Sequence, residues 1–285
     1  MKFENANTYN WENAFRGLRH PYESYAKSDT GWYEDTTENE YKCFNQALDI
    51  DSRTGKFLGI GPNDMDLAQR MIAAGTPNDK FLRQIFVSMD ITAPLYWWKE
   101  MDTYKVATVA NSTSTMHKLA TTPITLDCFE TDDMDLSIPV GAWSMSTEKE
   151  YRPEPDYNSS EIVSHTVQSI DEETNEVVSE HKFYYSKEDL ERLKNSSLES
   201  DVYGILNSLE RLRLKYLETK DIRYWKELIR WLPESWLQTR TWTANYTVLR
   251  QIYHWRKNHK LTEWHQFCDF VLTLPYANEL IAYNN

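Results

Sequence analysis

Apolar positions along the 285-residue chain change period several times, and each change marks an element. Trp11 to Arg19 predicts a short helix ended by Pro21, since proline offers no N–H to continue a helical ladder. A second helix is expected from about Asp64 to Ala74, capped by Asn63 or Asp64 and stopped by Gly75 and Pro77. The clearest strand follows: Ile85, Val87, Met89 and Ile91 alternate with residues of the other face, and Pro94 closes it. LYWWKEMDTYK then reads as a short helix leading into a loop rich in Ser and Thr. A second strand is expected around Ile124 to Cys128.

From Glu130 to Glu191 the pattern turns acidic and polar, with Pro139, Pro153 and Pro155, and reads as an insertion. Its best-formed part is a hairpin, Ile162 to Ile170 and Glu176 to Phe183 about an Asp-Glu-Glu-Thr-Asn turn. The last third is helical. Ser196 and Glu199 have capping-box spacing. Leu198, Val202, Ile205, Leu209, Leu212 and Tyr216 recur at three- and four-residue steps, marking one buried face. Arg223 to Leu232 forms a further helix stopped by Pro233. A long helix is expected from about Glu234 through His259, and a last one from near Thr262. This order describes an α+β or α/β domain, taken as one domain over residues 1–285 with an acidic insertion at about 130–191.

Charge narrows the function. Forty-four acidic side chains against 31 basic leave a net charge of −13. A duplex-binding protein would show a basic stripe, because phosphate neutralisation supplies most of its affinity. Basic residues gather only from Arg240 to Lys260, which suits a small anion in a local pocket; the acidic excess otherwise keeps the chain solvated. Eight glycines argue against a glycine-rich phosphate loop, and Gly59-Ile60-Gly61 before Pro62 reads as a turn, not a dinucleotide fingerprint. Cys43, Cys128 and Cys268 form no disulfide framework. Cys128 and Cys268 lie in apolar contexts and read as buried, inert thiols. His254, His259 and His265 lack the i, i+4 spacing of a helical ligand pair, so no metal is assigned. The start, MKFENANTYN, has neither the basic nor the apolar region of a signal peptide. No run approaches the ~20 apolar residues of a membrane span. A cytoplasmic protein is expected.

Two stretches carry a family likeness. ITAPLYWWKEMDTYKVATVANSTSTMHK resembles the signature region of the flavin-dependent thymidylate synthases, where a strand ending in an apolar residue, Ala and Pro precedes a short helix, an Arg-His-Arg motif and a later Ser. Ile91, Ala93 and Pro94 match the entry. LPESWLQTRTWTANYTVLRQIYHWRKNHKLTEW resembles the family's second motif, with Leu232-Pro233, Trp242-Thr243, Asn245 and Arg256 in ungapped register. AFRGLRHPYESY and DLAQRMIAAGTP are weaker matches. Thr103-Tyr104-Lys105 stands where the family has Arg-His-Arg. Thr113 aligns with the Ser, and Thr115 and Thr247 with family arginines. Ile229, beside Arg230, aligns with a phosphate-binding one.

The resemblance implies an α+β fold with a central sheet, flanking helices and an inserted β-hairpin, assembled as a homotetramer. It implies one-carbon transfer to C5 of a pyrimidine deoxynucleotide such as dUMP, with FAD, NADPH and methylenetetrahydrofolate. Arg256 takes the catalytic role, polarising the pyrimidine. Thr103, Tyr104, Lys105 and Asn245 fall at cofactor positions, and Ser112, Thr113, Ser114 and Arg230 at substrate positions. The residues themselves allow this: a guanidinium beside an amide grips a planar pyrimidine or a phosphate, and loop hydroxyls with a lysine hold phosphate oxygens. They allow plainer readings too, in which Arg256 complements a helix dipole and the hydroxyls belong to an ordinary polar loop. An alternative function is therefore a catalytically inactive nucleotide-binding or protein-interaction protein on the same fold. An acidic mimic of nucleic acid rests on charge alone.

Overall fold

The computed structural model describes residues 1–138, 154–155, 162–170, 177–186 and 197–284. In chain order they form β1 (Lys2–Tyr9), α1 (Trp11–Arg19), β2 (Thr30–Tyr33), α2 (Thr37–Lys42), β3 (Asp49–Asp51), β4 (Lys56–Ile60) and α3 (Pro62–Ala73). There follow β5 (Phe86–Pro94), α4 (Leu95–Met101), β6 (Val109–Ser112), α5 (Thr115–Thr121), β7 (Glu154–Pro155), β8 (Ile162–Ile170) and β9 (Val177–Ser186). The chain ends with α6 (Leu198–Thr219), α7 (Ile222–Arg230), β10 (Leu237–Asn245), α8 (Tyr246–Arg256), α9 (Thr262–Leu272) and α10 (Ala277–Leu280). Two compact units result: Met1–Asp133 with Lys215–Asn285, and Met134–Leu214.

The first unit is built on an antiparallel sheet of order β1-β5-β10-β6. Strand alternation sorts its two faces. On one face Val87, Met89, Ile91 and Ala93 of β5 stand opposite Ala244, Trp242, Arg240 and Gln238 of β10. Here the core forms, with Trp97, Trp98, Trp264, Tyr246 and Phe267 almost wholly buried. On the other face polar side chains pair across the strands: Thr92 with Thr239 at 2.7 Å, Thr241 donating to Asp90 at 2.5 Å, and Thr243 donating to Ser88 at 3.0 Å. A smaller antiparallel sheet, β2-β4-β3, lies in the same unit. The second unit contains the antiparallel sheet β7-β8-β9.

Several expected elements are in place. Helix α1 matches its predicted span, β5 ends at Pro94, and α9 begins at Thr262. The hairpin arms pair from Ile162↔Ser186 to Ile170↔Val177; their turn, like Ser196 of the capping-box pair, lies outside the described residues.

Other expectations are corrected. The long helix from Glu234 is a strand followed by a shorter helix. Thr239, Thr241 and Thr243 alternate with Gln238, Arg240 and Trp242, a period of two in β-branched and aromatic residues that favours the pleat. Ile124 to Cys128 is no strand: Leu126–Cys128 makes a 3-10 turn, closed by the Cys128 N–H on Thr125 O at 3.0 Å. Gly59 and Ile60 belong to β4 rather than to a turn. In α6 Ile205 is exposed, and Leu206 with Leu209 supplies the buried positions. Strands β1 to β4 were not anticipated: β1 and β3 are largely polar, and β2 and β4, TGWY and KFLGI, are too short to display a period of two.

Helix α3 also takes its cap from elsewhere. Its first residue is Pro62, and the Asp29 carboxylate accepts the Asn63 and Asp64 N–H groups, each at 2.8 Å. Asp64 then points inward, fully buried, onto Arg19 Nε and Nη2 at 2.7 Å. It also accepts from Ser28 Oγ at 2.7 Å, Thr30 N at 2.9 Å and Thr30 Oγ1 at 2.6 Å. Removing one member of a buried, hydrogen-bonded ion pair leaves the other charge uncompensated. Asp64→Ala is therefore expected to lower stability by about 3–5 kcal/mol and Ser28→Ala by only about 1 kcal/mol, as read from urea unfolding midpoints.

Candidate functional site

The end of α4 and the end of α8 meet. Asn245 closes β10 and caps α8, its Oδ1 accepting the Val248 N–H at 3.1 Å. From there the helix runs back to its last residue, Arg256. The Arg256 guanidinium donates from Nε to the Tyr104 hydroxyl at 2.8 Å and pairs through Nη1 with Glu100 Oε2 at 2.8 Å. It also lies over the Trp264 ring at 4.6 Å. Trp264 in turn donates its indole N–H to Glu100 Oε2 at 3.2 Å, and His259 Nε2 stands 3.9 Å from the same oxygen. The exposed indole of Trp255 is 6.2 Å from the Tyr104 ring.

A second arginine is placed beside this cluster. Arg240 of β10 stacks on the Trp98 ring at 4.2 Å and donates to Asp102 at 2.8 and 3.1 Å. Its Nε reaches Gln238 Oε1 at 2.9 Å, and Gln238 Nε2 reaches Thr113 O at 3.0 Å and Thr115 Oγ1 at 3.1 Å. Two carboxylates at the end of one short helix thus each hold an arginine from a different element.

The expected site residues distribute unevenly over this geometry. Tyr104 and Arg256 come together. Thr103 lies just past α4, its hydroxyl donating to Glu100 O at 2.7 Å, and Lys105 is exposed in the loop that follows. Ser112 pairs with Arg240 in the ladder, Thr113 donates its N–H to Thr239 O at 2.9 Å, and Ser114 caps α5; all three are exposed. The shared helical face of Asn245 and Arg256 is corrected: Asn245 is extended, buried and turned onto the helix start, about 16 Å of helix from Arg256. Arg230 is exposed and bound to Glu227 within its own helix.

Glu100, Trp264, Arg240 and Asp102 were not singled out from sequence. Glu100 precedes Tyr104 by four residues, the spacing of neighbours on a helix, and this was the available signal. Three clefts of about 430–460 Å³ lie elsewhere, lined for example by Glu40 and Phe57, by Arg16 and Tyr25, and by His20 and Met71. None is lined by Tyr104 or Arg256.

Comparison with known proteins now bears on the fold. Two crystal structures of the flavin-dependent thymidylate synthase of Helicobacter pylori, both with FAD and dUMP, superpose on the chain. One aligns with a TM-score of 0.52 at 14% identity, covering 99% of this chain and 98% of the other. The second aligns with a TM-score of 0.52 at 13% identity, covering 99% and 97%. The chain has the fold of the flavin-dependent thymidylate synthases. No protein-family model matches the sequence, and no curated protein does. Among the described residues no helix is long and apolar enough to cross a membrane.

The thiols share none of the cluster's hydrogen bonds or ion pairs. Burial pushes Cys43 up to about 11 and Cys268 up to about 12. Cys128, by contrast with its expected burial, is half-exposed on the 3-10 turn. At pH 8 a thiol with a pKa near 11 is ionised to roughly one part in a thousand, and only the thiolate is nucleophilic. Iodoacetamide should therefore label Cys128 first in the folded protein, with Cys43 and Cys268 modified only after unfolding, as followed by peptide mass spectrometry.

Proposed function

We propose that this chain is a divergent flavin-dependent-thymidylate-synthase-like protein that transfers a one-carbon unit to C5 of a pyrimidine deoxynucleotide such as dUMP. The observation that carries this reading is the junction of Arg256 with Tyr104. In this reading a planar heterocycle stacks on the exposed indole of Trp255 and takes edge hydrogen bonds from the guanidinium and the phenol. In this reading Arg256 polarises the pyrimidine. The exposed hydroxyls of Ser112, Thr113 and Ser114, with Lys105, hold phosphate oxygens.

The residues present are compatible with FAD, in that Tyr104 and Trp255 offer ring faces and Lys105 has no ion-pair partner among the described residues. Bound there, the flavin would supply hydride, drawn from NADPH, with methylenetetrahydrofolate giving the carbon. Asn245 lies at the far end of its helix from Arg256, with its Oδ1 capping that helix, and Arg230 pairs with Glu227 on an exposed face; both are left outside the proposed site.

A second reading has its own support. Arg256 and Arg240 are each bound to a carboxylate, Glu100 and Asp102, which subtracts from the positive charge available to phosphates. That favours a nucleotide-binding protein without the chemistry.

The freshly purified protein is expected to be yellow, with flavin absorbance approaching one FAD per chain. Calorimetry should detect dUMP, and Arg256→Ala should weaken it at least tenfold. Colourless protein that takes up no FAD yet binds dUMP selects the second reading. Protein that binds neither overturns both.

A further inference from the structure

Glu100 Oε2 occupies a position surrounded by N–H donors. Arg256 Nη1 reaches it at 2.8 Å, Trp264 Nε1 at 3.2 Å and His259 Nε2 lies 3.9 Å away. The histidine's role follows from its other nitrogen. Nδ1 accepts the Leu261 N–H at 3.2 Å, so the neutral ring carries its proton on Nε2, facing Glu100. The surround is rigid: Trp264 is fully buried and its ring face supports the Arg256 guanidinium at 4.6 Å, while the Tyr104 hydroxyl fixes Arg256 Nε at 2.8 Å. Glu100 itself sits in the last turn of a short helix with its side chain 39% exposed, so it is the one member with room to swing out.

We propose that Glu100 is an internal occupant of a preformed oxygen site made by Arg256, Trp264 and His259, and that the acceptor oxygen of a planar carbonyl or carboxylate ligand displaces it. The proposal rests on the reading of Arg256 as the pyrimidine-binding arginine and adds to it a competing side chain that sets affinity. A carboxylate paired with Arg256 and hydrogen-bonded by the Trp264 indole, with His259 Nε2 close by, is a strong competitor, because charge-assisted contacts are roughly twice as strong as neutral ones. The ligand's apparent affinity is then its intrinsic affinity reduced by the fraction of molecules in which Glu100 has left.

The test separates the oxygen site from the choice of ligand. The Trp264 indole N–H resonance, identified through Trp264→Phe, is followed in the unsubstituted chain, Glu100→Ala and Glu100→Gln. Glu100→Gln keeps the side-chain shape if Glu100→Ala unfolds. Acetate is expected to shift the resonance of Glu100→Ala back towards its unsubstituted position and to leave the unsubstituted chain unchanged. Both variants should bind dUMP at least tenfold more tightly than the unsubstituted chain, with acetate competing in Glu100→Ala. An indole resonance indifferent to acetate in Glu100→Ala overturns the proposal. So does dUMP binding that is detected in the unsubstituted chain and unchanged or weakened by both substitutions. If acetate restores the signal but no form binds dUMP or FAD, the oxygen site stands and the pyrimidine reading falls.

Discussion

The antiparallel pairing of β10 with β5, from Leu237↔Pro94 to Asn245↔Phe86, is the constraint on which the rest depends. Nine paired residues span about 27 Å of strand. One end of the ladder launches α4 directly after Pro94, and the other launches α8 directly after Asn245. Folded back over the sheet, helices of about 10 Å and 16 Å together cover that distance, so their last residues come together. The meeting of Glu100 with Arg256 is thus a result of register. Displacing the strands by one residue would invert every side chain between the core and the polar face, and the two helix ends would part.

That polar face explains how the sheet can leave one side unbacked by the core. Thr92, Asp90 and Ser88 satisfy Thr239, Thr241 and Thr243 across the strands, so cohesion there comes from side-chain hydrogen bonds. The same distribution of labour appears at α4. Its buried indoles fasten it to the core, while its terminal carboxylates hold Arg256 and Arg240 near the surface. The stretch from Arg240 to Lys260 carries no Asp or Glu of its own, yet two of its arginines sit where acids at the end of α4 already wait for them.

Legibility followed periodicity. The β5 alternation and the Pro94 stop were plain because apolar side chains sit on one face only, and α1 and α9 show their apolar stripes within a few turns. β10 was hidden because Arg240 and Trp242 share its inner face, which breaks the apolar repeat that would have distinguished strand from helix. The resemblance led to Arg256 and Tyr104, whose contact spans 152 positions of sequence. It could not lead to Glu100 or Trp264, since their role arises from convergence on one oxygen, a property of packing rather than of spacing. Asn245 shows a further case: its place at the end of a strand, with its Oδ1 on the helix start, could not be seen while the stretch read as one long helix.

Gly59 carries a consequence for how this sequence can diverge. A Cβ placed there would lie 2.6 Å from the sulfur of Cys43, so the strand and the turn after α2 compete for a single methyl-sized space. Relatives that gain bulk at 59 are expected to lose it at 43, so that the two positions are inherited as a matched pair.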